Sequence, residues 1–278
     1  MSTQTLPSLD QLKQVANKLR IDIVRMIGEA GSGHPGGSLS EVELLVALYG
    51  RVMRHDPAHP DWPDRDRFVL SKGHGVPALY AVLAEYGYLD PALLPTLRKL
   101  GSPLQGHPDK RFLAVLEAST GSLGQGLSIG IGMAMAARMD KRDYRTFVMV
   151  GDGEIQEGQI WEAAMYAGFH KLDNLICIVD YNRQQLDGFL KDILDPAPVG
   201  EKFRAFGWDT MDIEGHDLQE VIAALEKARN SSVGTPTCVV AHTVKGQGVS
   251  FMENNPEWHG VAPKKEQVEA AVKELEKK

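Results

Sequence analysis

Cysteine is scarce in this sequence, with two residues among 278, Cys177 and Cys238. That excludes a disulfide scaffold and a multi-cysteine metal site. Both lie in apolar, strand-like runs (LICIVD and TCVVAH) and read as buried, reduced thiols. Long apolar runs are absent too. The longest nearly uncharged stretch, GLSIGIGMAMAA at 126–137, falls short of the roughly 18–20 residues that a membrane span needs. The opening MSTQTLPSLDQLKQ shows no charged-then-apolar leader pattern, so the expected location is cytoplasmic and no membrane partner is expected. Positive charge is not in excess. Thirty basic against 37 acidic residues give a formal net charge of -7, and a pI near 5.7, which argues against nucleic acid as a partner. A local positive site for a small anion stays possible on such a surface. The phosphate loop GxxxxGK[ST] is missing, and the glycines of Gly121-Ser-Leu-Gly-Gln-Gly are in the wrong order for G-x-G-x-x-G, so a nicotinamide-binding domain is not expected.

What is present is an ordinary globular composition, 43% hydrophobic and 24% charged, which argues against disorder. Apolar residues at Leu12, Val15, Ala16, Leu19, Ile23 and Ile27 predict a helix over 9–30, stopped by the loop Gly31-Ser-Gly-His-Pro-Gly-Gly. A second helix is expected after Ser40, read as its N-cap. The following helices are expected in PALYAVLAEYG, in the small-residue stretch after Gly126, and in QIWEAAMYAGFHKL, DLQEVIAALEKARN and EQVEAAVKELEKK, the last as a charged surface helix. Strands are expected in FVLSKGHG, TFVMV, LICIVDYN, FGWDTMDIEG and TPTCVVAHTV, and a loop at 186–200. TFVMV is apolar throughout, as in a parallel strand covered on both faces. Alternating strands and helices define an α/β fold: a doubly wound, mostly parallel sheet with helices on both faces, in one domain over 1–278. Ligands of such sheets bind beyond the carboxyl ends of the strands. Gly151-Asp-Gly, Asp180-Tyr-Asn and the loop after Val244 fall there.

In TFVMVGDGEIQEG, an apolar strand ends in Gly-Asp-Gly and leads into a helix. The glycines permit a sharp turn and a close ligand approach, and Asp152 enters the crevice beside a helix N-terminus. A carboxylate repels a diphosphate unless a divalent cation lies between them, and magnesium suits such oxygen ligands. Asn182 supplies a neutral amide oxygen, and a backbone carbonyl at Gln184 could add another. Taken alone, Gly-Asp-Gly reads equally as a cap or an Asx turn. An asparagine about 30 residues on, after the next strand, favours the metal reading. Of nine histidines, His34, His74, His107 and His259 are each pinned by Gly or Pro. They read as fixed imidazoles in a cleft, able to bond hydroxyls and carbonyls and to move protons near neutral pH, which suits a polyol or sugar. His55 and His59 have a zinc-like spacing, but Pro57 and Pro60 forbid the helix that would align them, so they read as loop residues. Lys72 and Lys245 are expected to screen phosphate charge.

GSGHPGG, RDRFVLSKGHGVPALY, GHPD, TGSLGQGLSIGIGMA, GDGEIQEGQIWEA, LDNLICIVDYNR and TVKGQGVSFMENNPEWHG, in this order, resemble transketolase from about residue 15 to 262. The resemblance covers only the N-terminal, diphosphate-binding part of that family's usual chain. It implies the N-terminal subunit of a split transketolase, whose pyrimidine-binding and C-terminal domains lie on a separate polypeptide.

The resemblance implies thiamine diphosphate as cofactor, with magnesium or calcium held by Asp152, Asn182 and the Gln184 carbonyl. It implies cofactor contacts from His74, Gly121, Ser122, Leu123, Gly153, Glu154, Asn182, Lys245 and His259. His34, His107 and His259 would touch the donor sugar and move protons, and His74 joins them as a catalytic imidazole. Glu157 and Glu162 would be buried acids linking two active sites across a dimer, with packing through the Gly/Ala-rich run 126–137, and the whole assembly would be a heterotetramer. Pro35-Gly36-Gly37 offers no hydroxyl where some relatives carry a serine. The implied reaction moves a two-carbon ketol unit from a ketose to an aldose, both as sugar phosphates, with the cofactor as electron sink. The aminopyrimidine-activating glutamate has no counterpart here, so this chain alone is expected to be inactive. The alternatives are half of a 1-deoxyxylulose-phosphate synthase type of enzyme, and a non-catalytic cofactor-binding module.

Overall fold

The structure is a computed structural model and describes residues 6–278. In chain order its elements are α1 (Leu9–Ala30), α2 (Pro35–Ser40), α3 (Val42–Ala47), β1 (Arg67–Leu70), α4 (Val76–Glu85), α5 (Gln125–Met139), β2 (Thr146–Gly151), α6 (Gly158–Phe169), β3 (Leu175–Tyr181), α7 (Leu190–Ile193), α8 (Val199–Ala205), β4 (Asp209–Glu214), α9 (Leu218–Arg229), β5 (Thr237–His242) and α10 (Lys265–Leu275). All five expected strands are present. They form one parallel sheet in the order β1-β2-β3-β5-β4.

The apolar strands sort by parity into two cores. Phe147, Met149, Ile176 and Ile178 face α1, α3, α4, α9 and α10. Val148, Val150, Leu175, Cys177 and Val179 face α5, α6 and α8. This two-sided burial is why β2 and β3 read as continuous apolar runs rather than as alternation. Each aliphatic side chain so enclosed contributes about 1.5–3 kcal/mol. The two cysteines sit opposite each other in the β3–β5 register, both free and fully buried.

Local chemistry sets the helix ends. Ser8 and Gln11 form a capping box at the start of α1, and Gly31, at φ 61°, takes the left-handed C-cap. Gly168 lets α6 lie against the chain at Phe206, since a Cβ there would stand 1.8 Å from the Phe206 carbonyl oxygen.

Three expectations change. The glycine-rich stretch after His34 does not stay a loop: Pro35 opens the short helix α2, with every residue buried. Ser40 ends that helix instead of capping the next, and its Oγ donates to Gly37 O at 3.0 Å and to Asp180 Oδ2 at 2.6 Å. The segment 186–200 holds α7 and the start of α8. The charged tail helix α10 lies at the surface as expected, but it also buries Ala271, Val272 and Leu275, and Asn17 on α1 donates to Leu275 O at 2.8 Å. His55 and His59 remain loop residues. His55 lies 2.6 Å from Tyr49 O and 2.9 Å from the Tyr88 hydroxyl, and His59 lies 2.8 Å from Asp56. Among the described residues, no group of three or more His, Cys, Asp or Glu side chains is placed to hold a metal, and no helix is long and apolar enough to cross a membrane.

Candidate active site

Because β5 is inserted between β3 and β4, the carboxyl ends of β1, β2, β3 and β5 lie side by side. They deliver Ser71–His74, Gly151–Gly153, Asp180–Gln184 and Thr243–Lys245 to one crevice, where ligands of such sheets bind.

Asp152 is 1% exposed. Its Oδ1 accepts from Gly153 N–H at 2.8 Å and its Oδ2 from Arg183 N–H. Burial, and then the neighbouring Asp180 charge, push its carboxyl up to about 7. Two backbone N–H groups and the Lys245 charge offset this only in part. Asn182 donates through Nδ2 to Asp180 Oδ2 at 3.3 Å, and its Oδ1 accepts from Gln184 N–H at 3.2 Å. Arg183, at φ 66°, takes the left-handed turn between them. The Gln184 carbonyl lies 3.5 Å from Lys245 Nζ. Together, one carboxylate, one amide oxygen and one carbonyl would offer a divalent cation a hard-oxygen seat.

The four loop histidines meet. The His34 ring centroid lies 5.3 Å from His74, 6.3 Å from His107 and 5.6 Å from His259, and His74 stacks on His259 at 5.3 Å. Burial lowers all four, with nearby cations adding to the effect: His34 to about 4, His259 to about 3, and His74 well below its ordinary value. Near neutral pH they are uncharged imidazoles, able to donate and to accept. Gly121, at φ 134°, lies against the His107 ring, which a Cβ would meet at 2.9 Å. Ser122 and Leu123 follow as exposed turn residues before α5. Gly153 abuts Gln185, whose Cβ would stand 2.9 Å from an added Cβ.

The two lysines part company. Lys245 is buried at the crevice with its Nζ 2.6 Å from His259 Nδ1, and burial lowers it to about 8. Lys72 turns inward. Its ammonium is fully buried below the histidines, bound to Asp180 Oδ2 and to Gly37 O at 2.8 Å, and 2.9 Å from Glu41 Oε2. A cation between two buried carboxylates is the better-compensated arrangement. Glu154 likewise commits its side chain inward: it accepts from the Ser71 hydroxyl, from Gly124 N–H at 2.9 Å and from Gly151 N–H at 3.0 Å. Glu157 and Glu162 are exposed on this chain.

Sequence reasoning overlooked Asp180 as a hub. Its carboxylate accepts from Lys72, from Ser40, from Asn182 and from the Thr243 hydroxyl. Burial pushes it up, but Lys72 and the two hydroxyls outweigh that and hold it below the usual range. Its place two residues before Asn182, at the end of an apolar strand, was the available signal. Arg98 was also overlooked; no motif surrounds it.

A parallel sheet with uncharged imidazoles and an oxygen seat gathered at its carboxyl edge defines a cofactor-binding enzyme domain. The chain belongs to the transketolase family, a family of transferases: residues 11–277 match its thiamine diphosphate binding domain. It is 47% identical over 266 residues to the 6-deoxy-6-sulfo-D-fructose transketolase subunit SqwG of a Clostridium species, covering 96% of both chains. It is 43% identical over 269 residues to an apulose-4-phosphate transketolase subunit from Actinobacillus succinogenes, covering 96% of this chain and 97% of that one. The crystal structure of Campylobacter jejuni transketolase superposes with a TM-score of 0.91 at 34% identity, covering 97% of this chain but only 43% of that one. The chain thus spans less than half the length of full-size transketolases.

Proposed function

We propose that this chain, as one thiamine diphosphate-binding domain over 1–278, is the N-terminal subunit of a two-chain transketolase. It transfers a two-carbon ketol unit from a ketose to an aldose. The carrying observation is the buried Asp152 carboxylate, held by the Gly153 and Arg183 N–H groups, beside the Asn182 amide and the Gln184 carbonyl. These three hold Mg2+ or Ca2+. His74, Gly121, Ser122, Leu123, Gly153, Asn182, Lys245 and His259 line the cofactor. Glu154 contributes through its backbone, since its carboxylate is engaged elsewhere. Bound there, thiamine diphosphate supplies the electron sink for breaking and making the carbon–carbon bond.

His34, His107 and His259 orient the sugar by hydrogen bonds to its hydroxyls, and His107 and His259 exchange protons with them, as uncharged imidazoles can. The subunit relatives are named for a sulfonated and a phosphorylated sugar, which supports an anionic ketose as donor. A separate chain supplies the pyrimidine-binding and C-terminal domains, in a cytoplasmic heterotetramer. Two copies of this chain meet through the exposed face of α5 and α6, which carries Met139, Met165, Tyr166 and Phe169 around Glu157 and Glu162. That apolar face would then bury the two acids.

Calorimetry with Mg2+ and thiamine diphosphate, together with a ketol-transfer assay with and without the partner chain, tests this reading. Activity is expected only for the pair, and Asp152→Asn is expected to abolish metal-dependent cofactor binding with native circular dichroism. Full activity of this chain alone overturns the two-chain reading, and unfolding of Asp152→Asn assigns that residue to structure instead.

A further inference from the structure

Arg98 sits at the mouth of the crevice in an unusual state. Its backbone is left-handed, at φ 57°, a conformation that costs a non-glycine residue of order 1 kcal/mol or more. Its N–H donates to Leu104 O at 2.8 Å, which fixes the turn. The guanidinium then lies flat on Gly106, where a Cβ would stand 2.7 Å from Nε, so only glycine there admits it. Nη1 donates to Ser32 Oγ at 2.8 Å, and Nη2 to Gly106 O at 3.3 Å and to His34 Nδ1 at 3.5 Å. Among the described residues, no carboxylate bonds this guanidinium.

A guanidinium has no acceptor atom and keeps its protons throughout the working pH range. The ring nitrogen that faces it must therefore offer a lone pair. For an uncharged imidazole, this puts the single proton on the other nitrogen. The Nε2 edge of His34 points toward Gly260, next to His259, with an added Cβ there 3.6 Å from Nε2.

We propose that Arg98 is a positioning residue that holds His34 as the Nε2–H tautomer, so that His34 presents a hydrogen-bond donor, and not a base, to a substrate oxygen. A donor preset toward an oxygen that gains negative charge stabilises the transition state more than the ground state. Its role at the substrate rests on the ketol-transfer reading; the tautomer does not. The low value of His34, lowered first by burial and then by Arg98, agrees with the geometry.

Histidine 15N NMR reads the tautomer directly. Only this chain is labelled, in the complex with its partner, and His34→Gln assigns the signal. His34 is expected to carry its proton on Nε2 near neutral pH, and Arg98→Met is expected to give a mixture of tautomers. A wild-type His34 protonated on Nδ1 overturns the proposal without any substitution having to fold. So does an unchanged Nε2–H pattern in a folded Arg98→Met. In assays of the complex, Arg98→Met is expected to lose about tenfold or more in kcat/KM for the ketose, with thiamine diphosphate affinity unchanged. Loss of cofactor affinity in parallel would overturn the positioning role. Absence of ketol transfer in the wild type would overturn the functional reading and leave the tautomer result intact.

Discussion

The buried charges below the histidines show how residue-level balance decides a side chain's role. Lys72 faces Asp180 and Glu41 with essentially no solvent exposure. Removing one partner of a buried pair leaves an uncompensated charge, at a cost of about 3–5 kcal/mol. Lys72→Met is therefore expected to lower the thermal midpoint strongly even without cofactor. A normal midpoint combined with weakened cofactor binding would return Lys72 to the phosphate role its position in SKGHG suggests. Glu41 is less well served. Neither carboxylate oxygen accepts a hydrogen bond of good geometry, and burial, only partly offset by Lys72, pushes it from 4.5 up to about 8. For an acid whose folded value is raised, the protonated form favours folding, so stability is lost as pH rises from the unfolded value to the folded one. Between pH 4.5 and 8 this amounts to at most about 5 kcal/mol, at 1.36 kcal/mol per pH unit. Glu41→Gln is expected to flatten the fall in stability between pH 5 and pH 8 seen by chemical denaturation. Parallel curves for wild type and variant would mean that Glu41 stays ionised. The place of Asp152 and Asn182 at the carboxyl edge of the sheet was legible because Gly-Asp-Gly and Asn182 each end an apolar strand. Arg98 and Glu41 were not, because their roles depend on what the fold brings near them.

At the scale of elements, periodicity and parity carried most of the information. Four apolar runs and the polar segment of β4 became five strands, and the three- and four-residue spacing of α1 placed Leu12, Ala16, Leu19, Ile23 and Ile27 in the core. What failed was glycine-rich sequence. Pro35-Gly-Gly-Ser reads as loop on propensity, yet it forms α2 because the segment is buried and must satisfy its backbone within itself. The small-residue helix α5 likewise has a use that composition does not reveal. Gly126 and Gly130 bring it onto Ser71 and Val148, with added Cβ atoms 2.3 Å from each, while Gly132 faces open space. Much of the run thus serves the sheet contact, and Gly132 remains available to a partner. The tightest such contact is at Gly168. A methyl group there would meet the Phe206 carbonyl at 1.8 Å, and backbone cannot yield as a flexible side chain can. Gly168→Ala is expected to cost about 1–3 kcal/mol or more and to separate α6 from the turn before β4, read as a lower denaturation midpoint. Gly132→Ala, with nothing near its added methyl, serves as the control and is expected to gain up to about 1 kcal/mol from helix propensity. An equal gain in both variants would show that helix propensity and not packing is being measured.

The whole molecule leaves one broad face unexplained by its own fold. Met139 is 79% exposed and Phe169 80% exposed, while Met165 and Tyr166 extend the same surface; Glu162 lies one turn before them on α6, and Glu157 caps the far end of that helix. Contiguous apolar surface of this kind marks association sites in soluble proteins. Acids within it favour an interface in which each is met by a donor or shares a proton across the junction. In the dimer proposed above, a two-fold axis sets the same patch against itself. Sedimentation of the chain with its partner is expected to give an assembly with two copies of this subunit. Phe169→Glu, which adds a charge to the patch but touches neither the oxygen seat nor the histidines, is expected to halve the assembly mass. Circular dichroism should stay native in that variant. Ketol transfer should fall with assembly if Glu157 and Glu162 couple two sites, and should persist in the half-assembly if they do not. An unchanged mass for Phe169→Glu, with the residue found solvent-exposed in the assembled protein, would place the subunit junction elsewhere.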